Sequence, residues 1–225
     1  ENPYRDYYHW WPAEKGIPPK RWSFFDIESN AWKYDKQTDA YFLHCFSVKQ
    51  PDLKWENPKV RQEIYDLMRF WFEKGVDGFR MDVISFISKD TSFPELPEKY
   101  NGEFIPFYAN GPKLHDYLRE MNKEVLSDYD VMTVGEAPGV NIEQALNFVN
   151  EDRKELNMFF HFDLMHLLIN EMNLQDHFLP FHLQLIYQAM YNQLYLPLHY
   201  PSLLYCYSYS YKRKLFLDNT SGYKS

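Results

Sequence analysis

From Asn57 onward the chain becomes strongly periodic. Val60, Ile64, Leu67, Met68, Trp71 and Phe72 recur at three- and four-residue spacing, the stripe of an amphipathic helix. Asn57 is a capping residue type, Pro58 suits the first helical position, and Gly75 ends the run. Residues 76–84 then carry apolar and β-branched side chains and predict a short strand with Asp82 near its C-terminal end. A second helix is predicted over 112–126, with Leu114, Tyr117, Leu118, Met121, Val125 and Leu126 on one face. Residues 131–134 read as the next strand with Glu136 just beyond it. A third helix begins near Ile142, and Met158-Phe159-Phe160-His161-Phe162 reads as a third strand. Helix and strand in strict alternation imply a parallel sheet, doubly wound or closed into a barrel.

The flanks follow other rules. Residues 1–56 are rich in Trp, Tyr, Pro and Asp and show no sustained helical period. Within them, 40–46 has the aromatic content of a strand and 35–39 is turn-like, so the pattern is an irregular segment with a hairpin. Beyond about residue 165 the alternation stops. No Gly occurs between Val140 and Ser221, and 195–211 is a biased run of Tyr, Ser, Leu and Pro. The chain therefore divides at 1–56, 57–165 and 166–225, with the last segment read as an aberrant tail rather than a continuation of the sheet.

Composition narrows the function classes. The 225 residues are 45% apolar, enough for a sizeable core, and the formal charge is −8 with no basic stripe, which argues against nucleic acid as a partner. No run approaches the roughly 18 consecutive apolar residues of a membrane span, so no membrane partner is expected. The first residues show neither a basic nor an apolar leader and no initiating Met, the pattern of a chain starting mid-protein without a signal peptide. Cys45 and Cys206 are far apart and unpatterned, which favours a reducing, cytoplasmic setting over a disulfide framework. Aromatic residues make up 19% of the chain. Trp10, Trp11, Trp22 and Trp32 are candidate platforms for stacking sugar rings, against the simpler reading that they are buried. Nothing in the pattern sets an oligomeric state.

The candidate chemistry lies in two carboxylates. Asp82 and Glu136 are 54 positions apart and each ends a strand-like run, so strand–helix–strand repetition brings them to one face of the sheet. Such a pair is what cleavage of a glycosidic bond needs: one ionised nucleophile and one protonated acid. Arg80, two residues before Asp82, shares its side of the strand, and a guanidinium favours the ionised carboxylate, so Asp82 is the candidate nucleophile. Glu136 has uncharged chain neighbours, which suits an acid, and Gly135 and Gly139 allow close approach of a ligand. On spacing alone the alternative stands equally: an ordinary Arg80–Asp82 ion pair and a solvated Glu136. His44, His161 and His166 read as packing or surface residues, without metal-ligand spacing.

Three motifs then change the balance. Gln50-Pro51-Asp52-Leu53, Gly78-Phe79-Arg80-Met81-Asp82-Val83-Ile84 and Thr133-Val134-Gly135-Glu136 occur in order and at matching intervals. With Tyr4-Arg5-Asp6-Tyr7-Tyr8 and Phe86-Ile87-Ser88-Lys89, they make the chain resemble the oligo-1,6-glucosidase and α-glucosidase branch of the α-amylase superfamily from about residue 3 to about 165. The resemblance implies a partial (β/α)8 TIM barrel: the end of an inserted subdomain over 1–56, about strands 4 to 6 with their helices over 57–165, and a tail that does not match the family. It implies Asp82 as nucleophile, Glu136 as general acid, and Arg80 and Val83 as substrate-binding residues. Val83 resembles a linkage selector for α-1,6 bonds in small oligosaccharides. No cofactor or metal is implied. Trehalose-6-phosphate hydrolases are close relatives of this branch. The family's Asn-His pair of the early strands and its third catalytic Asp have no match here, and Asp176-His177 is preceded by the wrong residues. An inactive truncated fragment and a sugar-binding remnant are therefore the competing readings.

Overall fold

Two small sheets organise the residues that the computed structural model describes, namely 2–24, 30–100 and 104–160. The first is antiparallel. Strands β1 (Trp10–Pro12), β2 (Trp32–Asp35) and β3 (Ala40–Leu43) lie in the order β1-β3-β2, with Trp10 opposite Phe42 and Trp32 opposite Leu43. The turn joining β2 to β3 is built by Asp35, whose carboxylate accepts from the Gln37 N–H and the Thr38 hydroxyl. Pro12 lies on edge strand β1, where its missing N–H breaks no central ladder. The hairpin foreseen over 35–46 is present, but β3 ends at Leu43 and β1 makes a three-stranded sheet of a segment expected to be mostly irregular.

This sheet packs Ala31, Trp32, Leu43 and Cys45 against Phe93. Trp32 is therefore a core residue, with its indole N–H donated to the Pro19 carbonyl at 3.0 Å, and it presents no face to a sugar. The other three indoles already carry cations: Arg5 over Trp10 at 4.1 Å, Lys15 over Trp11 at 5.5 Å and Lys20 over Trp22 at 3.7 Å. Phe104 stacks on Trp22 as well.

The second sheet is parallel. Helix α1 (Pro58–Glu73) starts where the Asn57 side chain accepts from the Lys59 N–H at 3.0 Å, and Gly75 follows its end at a φ of +88°. After it come β4 (Gly78–Met81), a short helix α2 (Ile105–Tyr108), α3 (Leu114–Glu124), β5 (Met132–Glu136), α4 (Ile142–Val149) and β6 (Met158–Phe160). The order is β4-β5-β6, with Gly78 opposite Met132 and Gly135 opposite Phe159. Gly78 is required there, because a β-carbon would meet the Met132 carbonyl oxygen at 1.9 Å. The alternation read from periodicity is thus present. Helix α2 had no signal in a four-residue span, and β4 stops at Met81 rather than 84 because Val83 turns left-handed. The third strand is described to Phe160; His161, Phe162, His166, Asp176, His177, Cys206 and the whole of 166–225 lie outside the described residues.

One core cluster joins the helices to this sheet. Tyr65, Met68 and Phe72 of α1 pack with Leu114, Tyr117, Leu118 and Met121 of α3, and with Ala137, Val140, Phe148 and Leu156 around β5 and α4. Leu67, Phe70 and Trp71 face away from this cluster and are about half exposed, so the apolar stripe of α1 is wider than its contact. No helix among the described residues is long and apolar enough to cross a membrane.

The two sheets meet at a buried polar cluster. Asp52 and the Lys89 ammonium pair at 2.5 Å with side chains only 16% and 14% exposed, and Lys89 also donates to the Phe86 carbonyl at 2.8 Å. His9 is buried beside them. Burial first, and then the Lys89 charge, push its pKa down to about 3, so its 3.6 Å approach to Glu56 is not an ion pair near neutrality. The unfolded chain takes up a proton on His9 below about pH 6.5, whereas the folded one does not until about pH 3. The His9 contribution to stability is accordingly full above pH 6.5 and falls, by up to ~1.4 kcal/mol per pH unit, as pH drops toward 3. Urea unfolding measured at intervals between pH 7 and 4 checks this: His9→Phe flattens the slope relative to the unsubstituted protein.

Candidate active site

Parallel pairing sends the C-terminal ends of β4 and β5 out on one edge of the sheet. Glu136 is the last residue of β5, and Asp82 follows the last residue of β4. Arg80, opposite Val134 in the ladder, lies between them. Its Nη1 donates to Asp82 Oδ1, and its Nη2 lies 2.8 Å from Glu136 Oε2. The bond to Asp82 and the charges of both carboxylates push the guanidinium above its already high ordinary pKa.

Val83 completes the arrangement. Its backbone is left-handed, at φ +41° and ψ +41°, and its N–H donates to Glu136 Oε2 at 3.0 Å. The chain then tightens into a buried 3-10 turn, Ile84–Phe86, held by the Ser85 hydroxyl on the Pro138 carbonyl at 2.9 Å. Gly135 makes room for that turn, since a β-carbon would lie 2.9 Å from Ile84 Cγ2 and 2.7 Å from Leu156 Cδ1.

The four residues singled out from sequence therefore meet at one place. Arg80 pairs with Asp82 as its strand position implied. The contacts of Arg80 and of the Val83 N–H with Glu136 were not foreseen. Glu136 has uncharged neighbours along the chain, as expected, but a guanidinium reaches it through space. The signal for that contact lay in the parallel register, which needs the pairing of β4 with β5 and is not visible within either strand. The two carboxylates differ in environment: the Asp82 side chain is 76% exposed and that of Glu136 19%. His44 is buried, with Nδ1 3.1 Å from the Phe46 carbonyl oxygen, a packing position. Among the described residues no group of three or more His, Cys, Asp or Glu side chains is placed to hold a metal ion.

Comparison with known proteins bears on the same region. The catalytic domain of the α-amylase family matches residues 1–200. An oligo-1,6-glucosidase of Bacillus cereus is 53% identical over 169 residues, covering 74% of this chain and 30% of that enzyme. A trehalose-6-phosphate hydrolase of Bacillus subtilis is 47% identical over 163 residues, 72% of this chain and 28% of that one. The solved isomaltulose synthase of Erwinia rhapontici, in a variant holding its natural substrate sucrose, superposes with a TM-score of 0.71 at 46% identity over 74% of this chain and 30% of its own. That enzyme has been solved with one Asp or one Glu replaced, at positions 54 apart in its own chain. The chain spans about 30% of the length of these relatives. With a family match over most of its residues and close identity to several members, the chain belongs to the α-amylase family.

Proposed function

We propose that the protein is a retaining α-glucosidase that hydrolyses terminal α-1,6 bonds of short oligosaccharides, with Asp82 as nucleophile and Glu136 as acid and then base. The observation that carries this reading is the Arg80 guanidinium held by both carboxylates at the ends of adjacent parallel strands. It brings both groups within reach of one glycosidic bond. The exposure contrast supports the division of roles, since a nucleophile must be open to the anomeric carbon and an acid is better kept from water. The substituted Asp and Glu of the isomaltulose synthase, separated as Asp82 and Glu136 are, support the same pair.

In this reading Asp82 attacks the anomeric carbon as the proton of Glu136 passes to the leaving oxygen. Glu136 then takes a proton from the water that releases the sugar. Strands β4 to β6 act as three consecutive strands of a (β/α)8 barrel whose catalytic edge is the C-terminal one. The half-exposed Leu67, Phe70 and Trp71 on α1 suit contact with a neighbouring helix of that barrel. Val83, next to the nucleophile, shapes the cleft and selects the α-1,6 linkage. The 47% identity to a trehalose-6-phosphate hydrolase favours one alternative substrate, trehalose 6-phosphate, at the same two carboxylates.

Two measurements on the full-length protein test the proposal. Asp82→Asn is expected to lower kcat on isomaltose by at least ~10⁴-fold and Glu136→Gln by ~10²- to 10⁴-fold, and wild-type turnover by Asp82→Asn sinks the assignment. Val83→Thr is expected to lower the ratio of kcat/KM on isomaltose to that on maltose by ~10- to 100-fold, the range one pocket side chain commands. Turnover of trehalose 6-phosphate in preference to isomaltose moves the substrate assignment and leaves the chemistry in place.

A further inference from the structure

We propose that the backbone N–H of Val83 is a positioning group for the general acid, and that with Arg80 it confines the acidic proton to Oε1 of Glu136. This rests on the reading of Glu136 as the acid. The Val83 N–H donates to Oε2 at 3.0 Å, and the Arg80 guanidinium lies 2.8 Å from the same oxygen. An oxygen that already accepts a hydrogen bond and faces a cation is a poor place for a proton, so the proton of the neutral acid sits on Oε1, to which no described residue donates. That proton passes to the glycosidic oxygen as its bond to the anomeric carbon breaks, and the electron pair left behind rests on Oε1 until water returns a proton.

Val83 turns the chain that follows its N–H out of the line of β4 and into the 3-10 turn. Left-handed backbone brings a side chain against the following carbonyl, and a β-branched residue is a rare occupant of that region. Asp39 and Asn110, also at positive φ, are of the types that tolerate it; Val83, Phe93 and Lys154 are not, and of these only Val83 is β-branched. Its surroundings hold it there: the Phe86 N–H donates to the Val83 carbonyl at 2.9 Å, Ser85 is tied to Pro138, and Ile84 lies close over Gly135. Such conformations persist only where neighbours over-determine them.

The test removes the N–H and keeps the side chain. In the full-length protein, valine at 83 is replaced by its α-hydroxy acid, which turns the amide into an ester. The readout is kcat/KM, which reports the first chemical step, on phenyl and on 2,4-dinitrophenyl α-glucoside. The two aglycones share a phenyl ring and differ in basicity, so only phenol needs a proton to leave; each variant is compared with the unsubstituted protein on the same glucoside, which cancels the bulk of the nitro groups. The ester variant is expected to lose ~10-fold on the phenyl glucoside and under ~2-fold on the dinitrophenyl one. Val83→Gly keeps the N–H and accepts the left-handed backbone, so it changes both substrates by the same factor. Equal losses on the two glucosides in the ester variant, an undiminished phenyl rate, or a leaving-group-dependent loss in Val83→Gly each overturn the inference while the site assignment stands. A wild-type protein that cleaves neither glucoside overturns both.

Discussion

The ion pair between Asp52 and Lys89 is the constraint on which the described arrangement depends. Burial works against both charges, yet each group is held in its charged form: the Asp52 carboxyl lies below its ordinary pKa and the Lys89 ammonium above it, because each is the other's counter-ion. Lys89 uses a second donor on the Phe86 carbonyl. Nearby, burial and the Asp52 charge push the Cys45 thiol well up, so it serves there as a neutral, packed residue. Removing one partner of such a pair leaves a buried charge without compensation, at a cost of about 3–5 kcal/mol. Asp52 belongs to the stretch that carries the antiparallel sheet and Lys89 to the stretch that leaves β4, so this contact ties the two sheets together alongside the packing of Phe93 on Trp32.

It also fixes one end of the segment that matters chemically. Residues 83–89 run from the site to the ion pair, with the Glu136 contacts at the start, a buried 3-10 turn in the middle and Lys89 at the end. The far side of the sheet is pinned as firmly. Glu155, fully buried, accepts from Arg119, Arg153 and His115 just ahead of β6. Thr133 and Asn157 exchange hydrogen bonds of 2.8 to 3.0 Å between the loop before β6 and the start of β5. The candidate site is thus two carboxylates on strand ends whose approaches are anchored from outside the site. That is the condition under which side-chain geometry is kept within the tolerance catalysis needs.

What was legible in the sequence follows from range. Helix α1 was readable in full because its stripe, its Asn57 cap and its Gly75 stop are all local. The parallel strands were readable as short apolar runs between helices. Their true ends were not, because β4 ends at Met81, short of Val83, whose N–H bonds Glu136, a partner 53 residues away. Strand β1 was missed because Trp10-Trp11-Pro12 carries no alternation and becomes a strand only by pairing with β3. The stacking role allowed for Trp32 failed for the same reason: nothing local says that Pro19 and Phe93 close over it. In the site, Asp82 and Arg80 were paired by period two alone, whereas the bridge to Glu136 depends on register between strands. Long-range pairing, rather than composition or propensity, separates what was read from what was not.

The difference between the two carboxylates has the same origin. Both hold the same arginine, so the cation alone does not set them apart. What differs is their place relative to the ladder. Glu136 is still within β5, opposite Phe160, with the turn that begins at Val83 laid against it, and four-fifths of its side chain is covered. Asp82 lies one step beyond the last paired residue of β4 and is three-quarters exposed. The ladder ends at Met81, and the left-handed Val83 two residues on sends the following backbone into the turn that is tied to Pro138 beyond β5. Asp82 thus sits in the gap between strand end and turn, while Glu136 accepts from the turn's first N–H. The inequality that two-carboxylate chemistry requires follows from where the ladder ends and the turn begins, in the main chain rather than in either side chain.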